Sequence, residues 1–474
     1  MLKIIDVEAR VTHVKTRIPF RYGIAEMVAA PHVVIELLLE NERGETSRGW
    51  ASEHLPPRWF TKVPDSLFPD EIRDMVIVIE HAVAVSRGLS GPTAFTIWQQ
   101  LDRAQEDWAS LEIIPGLLAG LGSALVERAL IDATCRLSEM PFERALKSGL
   151  LGFDAAQVHP ELSDQSLEQA FPGTAGRTIA VRHTVGLSDP LVEGEVSDAP
   201  ADDLPVSLEA IIRHYGVTHF KVKTAGRLED DIPRLHQILD LIQRYDIEPM
   251  FTIDGNESMT TAQHLIDWSR GLLADARLEP VLRARLIAVE QPFHRSIALG
   301  PDAAAALREL RGNVVVIIDE SDDAVGTVRA AMDLGYAGGT YKGCKGVFRG
   351  LANAALVRHR GGGSVLTAED LSTVPPLTVP QDLVVASVMG LSHIERNGHH
   401  YFGLLAPLSP DIEDTALAAH PDAYERGWDG RVRLRITAGL IELDSLLAAP
   451  FGLAPELDIA TLEPLSVEAA VRGM

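Results

Sequence analysis

His219-Phe220-Lys221-Val222-Lys223 closes a short apolar strand and carries two lysines two residues apart. Alternate residues of a strand project from the same face, so both ammonium groups point the same way. The stretch follows a helix-like apolar run and precedes the small-residue turn Thr224-Ala225-Gly226. Whether the pair faces water or a site depends on the strands around it.

Downstream of residue 178 the sequence alternates short apolar strands with helical patterns. Candidate strands end near His183, Lys223, Asp254, Glu290, Asp319, Lys342, Thr367 and Glu395. Intervals of roughly 23 to 40 residues are the size of βα units and predict a parallel (β/α)8 barrel. The stretch from Gly271 to Arg285 lengthens one connection. Upstream, Ile4–Val11, Val33–Leu39 and Gly49–His54 alternate like antiparallel strands, and residues 65–150 have helical spacing. The expected organisation is an α+β capping domain over 1–150, an insertion or linker over 151–177 and the barrel over 178–405. A C-terminal segment, 406–474, returns to the cap and includes a strand over Leu434–Leu443.

The active face of such a barrel is the C-terminal end of its strands. Three successive strands end in acids, Asp254, Glu290 and Asp319, between Lys221/Lys223 on one side and Lys342 on the other. One acid at a strand end is more often a helix cap, and one Lys-x-Lys is more often a solvated edge. Five ordered ends carrying matched chemistry are a different signal. Converging carboxylates raise one another's pKa unless a cation neutralises them, and an all-oxygen set suits Mg²⁺, with Mn²⁺ as a substitute.

The whole chain has 67 acidic and 43 basic side chains among 474 residues, a net charge of −24, which argues against a nucleic-acid partner. No apolar run reaches roughly 18 residues, so no membrane span is expected. Two cysteines, Cys135 and Cys344, make no disulfide framework and suit a reducing, cytoplasmic setting.

The pieces Phe220-Lys221-Val222-Lys223, Ile253-Asp254-Gly255-Asn256, Val289-Glu290-Gln291-Pro292, Ile318-Asp319-Glu320-Ser321 and Tyr341-Lys342-Gly343-Cys344-Lys345-Gly346 together resemble the enolase superfamily, in its muconate-lactonizing-enzyme subgroup. The resemblance implies Asp254, Glu290 and Asp319 as Mg²⁺ ligands, with Asn256 and Glu320 behind them. It implies Lys223 and Lys342 as an acid/base pair on opposite faces of a small carboxylate substrate, and Lys221 as a carboxylate-holding neighbour that lowers the pKa of Lys223. Lys345 is a second candidate in the same loop; parity and strand position favour Lys342. The implied chemistry is abstraction of an α-proton, leading to racemisation or epimerisation, cycloisomerisation, or dehydration; the implied assembly is a homo-oligomer.

Two departures narrow the reaction. The seventh strand end, Val365-Leu366-Thr367-Ala368-Glu369-Asp370, has no histidine for a His-Asp dyad, and Glu395-Arg396-Asn397 lacks the Asp-x-Asp of lysine-pair dipeptide epimerases. Glu369 and Glu395, with Arg21, Tyr22, His54 and Arg58 in loops expected to cover the mouth, are candidate substrate contacts. His393, His399 and His400 show no metal-protease spacing. The alternatives are a barrel that binds metal and carboxylate without turnover, and a barrel hydrolase, disfavoured by the absence of histidine ligands at the strand ends.

Overall fold

The structure is a computed structural model and describes all residues except 23–24, 64 and 473–474, together with the side chains of Tyr22 and Ala25. The candidate contact at Tyr22 therefore lies outside the described residues.

The chain opens with three long antiparallel strands, β1 (Leu2–Tyr22), β2 (Ala25–Asn41) and β3 (Thr46–His54), paired in that order. Helices α1 (Phe68–Ser86), α2 (Ala94–Glu112) and α3 (Gly116–Leu137) pack beside them. Helix α3 lies almost on the backbone of β3. A Cβ at Gly49 would sit 2.2 Å from the Ala129 carbonyl oxygen and from the Ala133 nitrogen. The Asp132 carboxylate, on the same helix, accepts the Trp50 backbone N–H at 2.9 Å. The close approach needs a residue without a side chain, and β3 supplies it.

Eight parallel strands close into a barrel among the described residues. In order they are Thr178–Val185, His219–Lys223, Met250–Asp254, Leu286–Glu290, Val316–Ile318, Gly338–Lys342, Val365–Glu369 and His393–Glu395. The last pairs with the first, His393 opposite Ala180, which closes the ring. The expected barrel is thus observed, with three ends displaced: the first strand continues past His183 to Val185, the seventh past Thr367 to Glu369, and the fifth stops at Ile318, one residue before Asp319. The second shift matters, because it makes Glu369 the terminal residue, in register with Lys342 on the sixth strand and Glu395 on the eighth.

The C-terminal segment differs from expectation. Leu434–Leu443 is not one strand; Val432–Leu434 pairs with Tyr424–Arg426, and Leu440–Glu442 adds antiparallel to the first barrel strand. Gly439, with φ +74°, lies between them and breaks the run. The return to the opening sheet occurs later, where Glu463–Pro464 pairs with β1 at Val11 and Arg10. Residues 151–177 hold two 3₁₀ turns and the short helix Leu167–Ala170, and the Gly271–Arg285 stretch is largely helical. Among the described residues no helix is long and apolar enough to cross a membrane. Both cysteines are free and buried.

Candidate active site

Five of the strand ends converge on one buried ionic cluster. The Lys221 ammonium lies at its centre and reaches four carboxylates: Glu369 at 2.6 Å, Glu290 at 2.7 Å, Glu395 at 2.9 Å and Asp254 at 3.0 Å. The ammonium is almost wholly buried. Burial alone would lower its pKa, but Asp254, Glu290, Glu369 and Glu395 outweigh it and hold the group well above the usual lysine value. Lys221 thus pairs with four carboxylates of the chain.

Lys223, two residues on, donates to Asp254 Oδ2 at 2.5 Å. Burial works to raise the Asp254 pKa, yet the two ammonium groups of Lys221 and Lys223 hold it well below the ordinary carboxylate range. Across the barrel, Lys342 lies 2.9 Å from Asp319 Oδ2 and 3.0 Å from Glu369 Oε2. Its pKa is raised well above normal, because Asp319 and Glu369 overcome the effect of burial.

Lys345 lies behind this layer. Its ammonium donates to the Asp319 carbonyl at 2.7 Å and to Asp319 Oδ1 at 2.8 Å. Lys342 lines the cavity at the barrel mouth and Lys345 does not. Just after the loop that carries both lysines, Glu127 of the opening region accepts the Phe348 backbone N–H at 2.6 Å.

Glu290 is wholly buried, and burial, aggravated by Glu369, pushes its carboxyl well above the usual range. Glu290 Oε2 has no hydrogen-bond partner, whereas Glu369 Oε2 faces the Lys342 ammonium at 3.0 Å. Glu290, Asp319 and Glu369 each offer an oxygen, all within 4.8 Å of one another. Hard, buried oxygen donors at this spacing, with Glu290 Oε2 unsatisfied, fit a divalent cation such as Mg²⁺ or Mn²⁺. Asp254 lies outside this group, with both lysines of the second strand on its Oδ2. Glu320 is buried without a partner at Oε2, and burial next to Asp319 raises it to about 7. Asn256 donates its backbone N–H to Asp254 Oδ1 at 2.7 Å and lines the cavity.

A segment of the opening domain covers the mouth. Lys62 donates to the Asn256 carbonyl at 2.7 Å and pairs with Glu257 at 3.0 Å. Arg295 donates to the Phe60 carbonyl at 2.9 Å and the Trp59 carbonyl at 3.1 Å while paired with Glu257. So held, the Trp59 ring faces Lys342, with the ammonium 4.6 Å from its centroid. Trp59, Lys62, Glu257 and Arg295 were not legible as site residues, because their roles depend on a contact between distant segments. Gln291 could have been suspected from its place beside Glu290. Its Oε1 accepts the Asp319 backbone N–H at 2.8 Å and so fixes the fifth strand end.

The loop candidates separate. Glu369 and Glu395 line the cavity, whereas Arg21, His54 and Arg58 do not. Arg21 is exposed and paired with Glu26 at 2.6 Å. His54 is fully buried, edge-on to His32 at 4.9 Å between centroids and near Phe402 at 5.1 Å. Burial lowers the His54 pKa to about 3, so the ring is neutral and packs as part of the interior. Arg58 turns back to α1, with its guanidinium 5.1 Å from the Phe68 ring centroid.

The chain matches no family model and no curated protein in sequence. Its fold is similar to that of solved structures. A mandelate racemase/muconate lactonizing protein from Herpetosiphon aurantiacus is 17% identical, with a TM-score of 0.57 over 93% of this chain and 98% of that one. An N-succinyl Arg/Lys racemase from Bacillus cereus is 16% identical, with a TM-score of 0.58 over 94% and 97%. A dipeptide epimerase from Enterococcus faecalis, solved with Mg and the dipeptide L-Leu-L-Tyr, is 15% identical, with a TM-score of 0.57 over 93% and 100%. At these identities the likeness is one of fold, and it extends over nearly the whole of each chain.

Proposed function

We propose that the chain is an enolase-superfamily enzyme of the muconate-lactonizing type that removes the α-proton of a small carboxylate substrate with the help of a divalent cation. The observation that carries this reading is the placement of Lys223 and Lys342. They end the second and sixth strands of a closed eight-strand ring, so they stand diametrically opposed, and both line the cavity. A base on one face of a planar carbanion and an acid on the other is the arrangement that a two-base transfer at an α-carbon uses.

Glu290, Asp319 and Glu369 would hold the cation, with Asp254 beside them and Asn256 and Glu320 behind. A bound Mg²⁺ supplies Lewis-acid stabilisation for the negative charge that develops on the substrate carboxylate. The chain's own groups do the rest. Lys342 is held charged, which is the form that gives a proton. To act in the other direction it must lose the carboxylate charge that holds it, and a cation on Asp319 and Glu369 has that effect. Trp59 and the segment around it exclude water from the pair.

Racemisation or epimerisation, cycloisomerisation and dehydration all begin with this step. The solved relatives whose names give racemase and epimerase activities support the first, and the missing Asp-x-Asp argues against dipeptides. The tight pairing of all the lysines favours, as a second reading, a barrel that binds metal and carboxylate without turnover. Transfer of solvent deuterium to the α-carbon of a carboxylate, dependent on Mg²⁺ and lost in Lys223→Ala, is the expected result. Ligand binding without any exchange across a broad panel of acids would leave only the second reading.

A further inference from the structure

The cavity has two chemically distinct sides. Its floor is the ionic cluster, while its wall is apolar and built by three separate parts of the chain. Phe20 and Met27 come from β1 and β2, Pro56 and Trp59 from the covering segment, and Leu371 from the loop after the seventh strand. All five are buried. Phe20 is held by the Tyr401 ring, 4.1 Å away between centroids, and Trp59 by Phe60 at 4.8 Å.

Among the described residues the wall offers no counter-ion. The cations on the cavity lining are Lys221, Lys223 and Lys342, all on the floor and all paired with carboxylates. The nearby arginines are engaged elsewhere: Arg295 with Glu257 and the Trp59 and Phe60 carbonyls, Arg396 with Asp370 and the Thr373 carbonyl. Among the described residues Asp370 is the one acid on the wall side, and Arg396 neutralises it. The other polar side chains of the lining, Asn256, Ser372 and Asn397, are uncharged. An ionic group on the far end of a substrate would therefore be desolvated without a partner, which is strongly unfavourable.

On the basis of the α-proton chemistry proposed above, we infer that the substrate bears one carboxylate and a compact, uncharged, apolar tail of the arylalkyl or branched-alkyl class. The carboxylate end addresses the floor, and the tail occupies the wall formed by Phe20, Met27, Pro56, Trp59 and Leu371. Diacids, N-succinylated amino acids and peptides with free termini are excluded by the same wall.

Calorimetry on the full-length, Mg²⁺-loaded protein tests this, with phenylacetate and isovalerate against succinate and glycylglycine. The monoacids are expected to bind at least roughly tenfold more tightly, the scale on which an apolar pocket discriminates. In Leu371→Arg, and independently in Met27→Arg, the order between phenylacetate and succinate should reverse. Thermal melts identify a variant that does not fold, in which case the other carries the comparison. Tighter binding of succinate or glycylglycine to the unaltered protein, or an unchanged order in a folded arginine variant, overturns the inference. Deuterium exchange run on the same acids separates it from the reading on which it rests. Exchange confined to diacids or peptides overturns the tail class and leaves α-proton chemistry standing. Preferential monoacid binding without exchange supports the tail class and removes the chemistry.

Discussion

The Lys342 ammonium lies 4.6 Å from the centre of the Trp59 ring, although one belongs to the barrel and the other to the opening domain. The ring shields the ammonium on the cavity side, and Asp319 and Glu369 hold it from below. A cation over an indole gains about 0.5–2 kcal/mol, more where water is excluded. Trp59→Ala should therefore raise KM and lower kcat together, whereas Trp59→Phe should retain most of both. Equal kinetics in the two variants would show that the ring has no part in positioning Lys342.

The two lysines of the sixth-strand loop should separate cleanly. Lys342→Ala is expected to lower the proton-exchange rate by about 10²–10⁴-fold, the usual contribution of a positioned acid or base, while leaving cation affinity nearly intact. Lys345 grips Asp319 from behind, so Lys345→Ala should weaken the cation first and exchange only as a consequence. Single-turnover exchange at saturating Mg²⁺ distinguishes the two.

Cation affinity itself tests which carboxylates matter. Glu290, Asp319 and Glu369 converge, so Glu369→Gln should weaken Mn²⁺ binding, followed by electron paramagnetic resonance, by at least about tenfold. Asp254→Asn should have the smaller effect, because Asp254 is engaged by Lys221 and Lys223. The opposite ranking would move the cation toward the third strand.

Removing the central ammonium should be costly to the fold. Lys221→Met leaves four buried carboxylates facing one another, and breaking a buried pair typically costs about 3–5 kcal/mol. The expected outcome is a large fall in Tm that Mg²⁺ partly restores. A Tm unaffected by Mg²⁺ in that variant would count against a cation in the cluster.

Acid sensitivity should come partly from a histidine far from the site. His420 accepts the Ala454 backbone N–H on Nε2 at 3.1 Å and reaches the Ser445 hydroxyl through Nδ1 at 3.0 Å. Burial lowers its pKa to about 4 from 6.5. Between those values the unfolded chain binds the extra proton, so stability present above pH 6.5 is lost as pH falls toward 4. In His420→Gln the difference in denaturation midpoint between pH 7 and pH 4.5 should shrink by an amount worth up to about 3 kcal/mol. An unchanged difference would assign acid sensitivity to other groups.

Much of this arrangement was legible in the chain before any coordinates. Barrel strands are short apolar runs with fixed polarity, so their terminal residues stand out. Asp254, Glu290 and Lys342 end their strands as expected, and Asp319 follows its own by one residue. Thr367 failed as an end because Ala368 and Glu369 stay in register with Tyr341 and Lys342; nothing in the seventh-strand sequence marks its last pair. The four acids around Lys221 were not legible, because one strand shows its own residues and not those that arrive from other strands. Arg21 and His54 could not be sorted, since whether a loop residue faces the mouth depends on how the opening sheet sits on the barrel. The broken strand near Gly439 is a case of a left-handed residue overriding an alternating pattern.

The segment pinned by Lys62 and Arg295 has a consequence for how such a protein changes over time. The lysines and carboxylates proposed to handle the proton sit at strand ends, where each is held by others of the cluster. The wall that meets the far end of a ligand comes from surface loops and a hairpin, anchored at a few points outside the cavity. Point changes at Met27, Pro56 or Leu371 can therefore accumulate without touching a single lysine or carboxylate. Selection can retune what the cavity accepts while the ionic cluster beneath it stays the same.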